Sequence, residues 1–200
     1  MEPAAIIFIR HAEKGDEPVD LSERGYERSR ELVRYFGKTR PETVPRPNVL
    51  CAMEQHRPDE SSDRCVETLS PLARDTCAQI HTFPKKNTDI IVDFIREQRD
   101  DTVLVCGNHE FVVNIVRRFG VSVNYWGNHP TEHYEKYNFS SLWILQKEDD
   151  SSYRGDLVFR VYPTFEFDDE GRIRYDEHYE TPIYSQFVRG DEYNKGCCCF

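Results

Sequence analysis

Two steps in this chain set groups side by side that can do chemistry. Arg10-His11 pairs a permanent cation with an imidazole, and Asn108-His109 supplies a second imidazole much further along. A neutral imidazole is a good nucleophile near pH 7 when a hydrogen bond fixes one ring nitrogen and leaves the other to the substrate. Arginine grips phosphate oxygens through its planar fork and does not lose its charge. Phosphoryl transfer through a covalent intermediate asks for such a nucleophile, for cations around the oxygens, and for an acid at the leaving oxygen. Arg10 and His11 would make half of such a site. The alternative is an ordinary strand end meeting water at a charged step.

Which reading holds depends on the elements that carry these residues. Ala5 to Ile9 is continuously apolar and stops abruptly at charge, which predicts a short, fully buried strand. Ser22 to Phe36 has helical spacing with Leu32, Val33 and Phe36 on one face, Ser22 as N-cap and Gly37 as terminator. A proline-rich link leads to a second strand, Val49 to Ala52. A polar loop follows, then a helix from about Ser62 to Ile80 that Pro71 is expected to kink or interrupt. Thr88 to Arg99 is helical. Residues 102–106, "TVLVC", are the clearest buried strand, and Glu110 to Phe119 forms an amphipathic helix closed by Gly120. "SLWIL" (141–145) is another strand, and a glycine-containing turn at Asp168 to Gly171 joins a hairpin.

Strands alternating with helices predict a three-layer α/β/α sandwich with a mostly parallel central sheet. Ligands of such sheets bind beyond the carboxyl ends of the strands. Arg10-His11 and Asn108-His109 each follow a strand, so two histidines are expected at one end of one sheet.

Composition narrows the partners. Two hundred residues suit one domain, expected over 1–190, with a flexible cysteine-rich tail at 191–200. A net charge of -10 argues against nucleic acid, whose backbone needs a basic surface, but leaves room for a small phosphorylated substrate in a local positive pocket. No apolar run approaches the ~18 residues of a membrane span, and the first residues lack the features of a signal peptide. Cys51, Cys65, Cys77 and Cys106 read as single reduced cysteines, so a cytoplasmic location is expected.

Three stretches, in order, carry a family resemblance. "FIRHAEKGDEPVDLSERG" resembles the first motif of the histidine phosphatase superfamily, with its phosphoglycerate-mutase-like fold. "SSDRCVETLSPLA" is similar to that family's Arg-x-x-Gln/Glu-Thr helix, and "TVLVCGNHEFVVNIVRRFG" resembles its strand-His-helix motif. The resemblance spans roughly residues 4–145. It implies a phosphoric monoester hydrolase in which His11 forms a phosphohistidine while Arg10, Arg64 and His109 cradle the phosphoryl group. Glu110, directly after His109, is the implied general acid, with Asp89 or Asp93 as the mutase-like alternative. An acid there needs a raised pKa. No metal or organic cofactor is implied, and the substrate would be a small-molecule or protein phosphomonoester. The Trp-Asn pair of cofactor-dependent mutases is missing after His11, which favours hydrolysis over the alternative phosphomutase. A silent phosphate-binding module is the reading from another class.

Two further features stand apart. His129 and His133 have the spacing of a helical metal pair, but Pro130 and the aromatic surroundings favour a loop, and no third ligand is evident. Cys197-Cys198-Cys199-Phe200 has C-a-a-X spacing, so Cys197 is a candidate for prenylation, with membrane association only if it is lipidated.

Overall fold

The computed structural model describes residues 3–15, 20–39, 45–54, 63–99, 101–119, 142–147, 153–159, 166–167, 173–174 and 183–184. Its elements run β1 (Ala5–Arg10), α1 (Glu23–Phe36), β2 (Val49–Glu54), α2 (Arg64–Thr76), β3 (Ile80–Pro84), α3 (Thr88–Glu97), β4 (Thr102–Gly107) and α4 (His109–Arg118). Then come β5 (Leu142–Lys147), β6 (Tyr153–Phe159), β7 (Glu166–Phe167), β8 (Ile173–Arg174) and β9 (Ile183–Tyr184).

The main sheet has the order β3-β2-β4-β1-β5-β6-β9. β3, β2, β4 and β1 are parallel neighbours, while β5 joins β1 antiparallel and β6 and β9 extend the sheet in the same manner. Across β3, β2, β4, β1 and β5 three of the four pairings are parallel, as the alternating pattern predicts. Parallel strands need both faces covered, and the sequence supplies that: Ile6 to Ile9, Leu50 to Ala52 and Val103 to Cys106 are buried without alternation. β7 and β8 pair separately and antiparallel, consistent with the predicted hairpin, whose turn lies outside the described residues.

Chain order decides which helix covers which face. The connections from β1 to β2 and from β2 to β3 both run towards one edge, whereas those leaving β3 and β4 run back towards the other. With right-handed crossovers between the parallel strands, α1 and α2 cover one face and α3 the opposite one, where α4 joins it. Packing agrees, since α1 lies against α2 and α3 against α4. β1 and β4 are neighbours whose chains leave on opposite faces, so their carboxyl ends form the switch point at which open sheets of this kind bind ligands.

Two local expectations are corrected. The helix expected over Ser62 to Ile80 runs only Arg64–Thr76, and Ile80–Pro84 is a strand. β3 is the sheet edge and half exposed, so it lacks the continuous apolar run that marked the other parallel strands. The helix also passes through Pro71 without interruption. Proline cannot donate to the carbonyl four residues back, that of Glu67. The Ser29 hydroxyl from α1 lies 3.0 Å from that carbonyl and 2.9 Å from the Thr68 carbonyl, sharing its one proton between them.

Candidate active site

β1 ends on Arg10, opposite Gly107 of β4, and the next peptide continues the pairing: His11 N–H donates to Gly107 O at 3.0 Å. His109 is the first residue of α4, two positions after Gly107. Asn108 caps that helix by accepting from Phe111 N–H at 2.9 Å. Gly107 is needed there for closeness alone, because a Cβ would come within 2.6 Å of the Phe111 ring. The two histidine-bearing segments thus leave adjacent strands side by side.

His11 is 4% exposed. Its Nδ1 lies 2.7 Å from the Ala12 carbonyl oxygen, which can only accept, so Nδ1 carries the proton and Nε2 keeps its lone pair. Burial is the main influence holding the imidazole neutral, the Ala12 bond opposes it, and the charges of Arg10, Arg64 and Lys14 add to it; together they bring the pKa from 6.5 to about 3. The charge of Arg64, the first residue of α2, therefore bears on His11 from the second of the three motif segments. Arg10, Arg64 and His109 are half-buried. Arg10 Nε, Arg64 Nε and His109 Nδ1 are buried and make no hydrogen bond, although each residue is engaged through other contacts. The N-terminus of α4 adds positive potential at the same end of the sheet.

The segment after His11 is clamped. Glu13 O accepts from Ser22 N–H at 2.9 Å, and the Ser22 hydroxyl caps α1 by accepting from Gly25 N–H at 3.1 Å. A Cβ on Gly25 would sit 2.4 Å from Glu13 O, so only glycine lets α1 start this close to the loop. Leu21 N–H and the Tyr26 hydroxyl both donate to the Glu67 carboxylate, at 3.2 and 3.3 Å.

Glu110 differs from what an acid requires. Its side chain is 58% exposed and sits 2.7 Å from Lys85 Nζ. The hydrogen bond and charge of Lys85 draw its pKa down, outweighing the upward push of burial. In the free protein Glu110 is an ion-paired carboxylate, not a protonated donor. Asp89 and Asp93 are exposed, and Asp89 pairs with Arg118.

Sequence reasoning missed Lys14 and Lys85 as local cations and missed the support beneath His11, namely Arg28, Ser29 and Thr68. A signal existed for all three, since Thr68 closes the Arg-x-x-Glu-Thr stretch that begins at Arg64. Arg28 and Ser29 fall in the buried stripe of α1 with Gly25, Leu32 and Phe36. Among the described residues no cluster of His, Cys, Asp and Glu fits a metal, and no helix is long and apolar enough to cross a membrane. His129, His133 and Cys197 lie outside the described residues.

No protein-family model and no curated protein matches the chain. Among solved structures it is similar to a phosphoglycerate mutase from Plasmodium falciparum, at 14% identity and a TM-score of 0.44, covering 90% of this chain and 98% of that one. The functional reading below rests on this chain's own residues.

Proposed function

We propose that the chain is a phosphomonoesterase that works through a phosphohistidine on His11. The observation that carries this reading is the state of that ring. It is buried and neutral, its Nδ1–H is fixed on the Ala12 carbonyl, and two arginine charges bear on it. Nε2 attacks phosphorus, the N–P bond forms and the P–O bond to the leaving group breaks, with the leaving oxygen taking up a proton. Water then attacks phosphorus, the N–P bond breaks, inorganic phosphate leaves and the water gives up a proton, so His11 returns neutral. Arg10 and Arg64 offset the charge on the transferring oxygens, with His109 and the α4 N-terminus beside them. Such charge stabilisation is worth about 10²–10³ in rate per donor in acyl transfer, which sets the scale expected here.

With Glu110 held as a carboxylate, the reading favours esters whose leaving oxygen needs little help from an acid. The substrate class is a small-molecule or protein phosphomonoester. A screen over aryl, acyl, sugar and nucleoside phosphates, run beside His11→Ala, tests the proposal. Turnover should vanish with His11, and alkaline quenching during turnover should leave phosphate on His11 by peptide mass spectrometry. Undiminished turnover in His11→Ala would sink it. Phosphate appearing on a second hydroxyl instead of in solution would convert the reading to phosphomutase. Prenylation of Cys197, proposed from its C-a-a-X spacing, would add membrane association and is tested separately by the mass of the native C-terminal peptide.

A further inference from the structure

The four polar side chains most deeply buried among the described residues are His11, Arg28, Ser29 and Thr68. They are not scattered through the core. All lie where the end of β1 meets α1 and α2, and Thr68 links the three, bonding Ala12 through its hydroxyl and Ser29 through its carbonyl. Its Oγ1 accepts from Ala12 N–H at 2.9 Å and donates to the Arg64 carbonyl at 2.6 Å. Ala12 is also the residue whose carbonyl takes the His11 Nδ1 proton. One hydroxyl thus joins the backbone beside His11 to the Arg64 carbonyl.

A helical hydroxyl bonded to the carbonyl four residues back is commonplace, and Ser70 and Thr76 do the same on this helix at 2.7 and 2.8 Å. Thr68 differs because its oxygen also receives a proton from a distant element, at a position only 1% exposed. With its own proton committed to Arg64, its lone pairs are directed at Ala12. No bulk water stands ready to replace it, so losing the hydroxyl leaves Ala12 N–H buried and unsatisfied. The backbone would then shift to find an acceptor, and the His11 ring, anchored on the same residue, would shift with it.

We propose that Thr68 is a positioning residue for His11, fixing the Ala12 backbone so that the imidazole keeps Nδ1 on the Ala12 carbonyl and presents Nε2 to phosphorus. This rests on the reading of His11 as nucleophile. Thr68 touches no reacting atom and acts through Ala12. A displacement of about 1 Å at a reacting group can cost about 10²-fold in rate, which is the scale expected here.

The test compares Thr68→Val, nearly isosteric but without the hydroxyl, with Thr68→Ser, which keeps it, on the full chain. Thr68→Ala carries the test should the valine variant not fold. Two readouts are taken: ¹⁵N shifts of the His11 ring, which report its tautomer, and steady-state kinetics with p-nitrophenyl phosphate. The wild type should show one Nδ1–H tautomer. Loss of the hydroxyl should give mixed tautomers and a kcat lower by about 10- to 100-fold with KM changed far less, while serine stays within about 3-fold of wild type. Unchanged His11 shifts without the hydroxyl overturn the proposal, as does a serine variant as impaired as valine. A wild type that shows the fixed tautomer but no turnover would strike the phosphatase reading and leave the positioning role standing.

Discussion

Arg28 on α1 holds Glu13, two residues beyond His11, through a forked ion pair, with Nε 2.8 and 3.0 Å from the two carboxylate oxygens and an Nη at 2.5 Å. The Arg28 side chain is 3% exposed and that of Glu13 15%. Breaking a pair this deep by removing one partner costs about 3–5 kcal/mol, of which the half-exposed Arg24, 3.4 Å from Glu13, recovers a small part when Arg28 is the one removed. Arg28→Met is expected to lose close to that amount in urea unfolding, and Glu13→Gln a comparable amount. The double variant should lose clearly less than the sum, because no charge is left stranded. Additive losses would mean that the pair contributes nothing as a pair.

The neutrality of His11 is a pH prediction. Unfolded, the ring takes a proton near 6.5; folded, near 3. Between those values the unfolded chain binds the extra proton, so the stability associated with His11 is intact above pH 6.5 and is lost as pH falls through that window. Ring resonances of His11 should therefore stay in the neutral form from pH 8 to pH 5. Replacing His11 by Gln should flatten the acid side of the Tm profile. A titration midpoint near 6.5 would show that the ring is hydrated, not buried.

Glu110 gives the opposite kind of prediction. Lys85 holds it ionised through the 2.7 Å contact, so Lys85→Met should raise the Glu110 pKa towards the ordinary carboxylate range, read from its ¹³C carboxyl shift. The pair is largely exposed, so stability should change by less than about 1 kcal/mol. A general acid contributes about 10²–10⁴ in rate, whereas Glu110→Gln is expected to lower kcat on aryl phosphates by under about 3-fold. A loss of a hundredfold or more would return Glu110 to the acid's role.

The features that were legible in the sequence are those that local chemistry determines. Ser22 caps α1 through its hydroxyl, Gly37 ends it in an extended conformation where a Cβ would meet Val33 O at 2.3 Å, and the unbroken apolar runs at Ile6 to Ile9 and Val103 to Cys106 are buried parallel strands. Arg10-His11 and Asn108-His109 fall at one end of the sheet because the strands carrying them pair in parallel, with Arg10 opposite Gly107. Less visible was whatever depends on contacts between distant elements. The carbonyls one turn before Pro71 face the Ser29 hydroxyl, from 42 positions earlier in the chain than the proline, and the support of Ala12 depends on Thr68. The ionised state of Glu110 depends on Lys85, at the end of a strand too exposed to read as one.

The end of α2 was hidden for a related reason, and it makes a further prediction. Cys77 occupies the left-handed conformation that closes the helix, with φ 59°, where glycine or asparagine is the usual signal. A side chain with a Cβ costs about 1–2 kcal/mol in that conformation, part of which glycine gives back through its freer unfolded chain. Cys77→Gly is therefore expected to stabilise the protein by about 0.5–1 kcal/mol, measured by thermal unfolding. The same position is the exposed one among the four described cysteines, whereas Cys51, Cys65 and Cys106 are buried. Burial pushes the thiols of Cys51 and Cys106 up, away from the reactive thiolate. Brief alkylation of the folded protein should modify Cys77 and spare the other three, as read by peptide mapping. Labelling of Cys65 or Cys106 ahead of Cys77 would show that the junction of α2 and β4 opens in solution, and with it the support beneath His11.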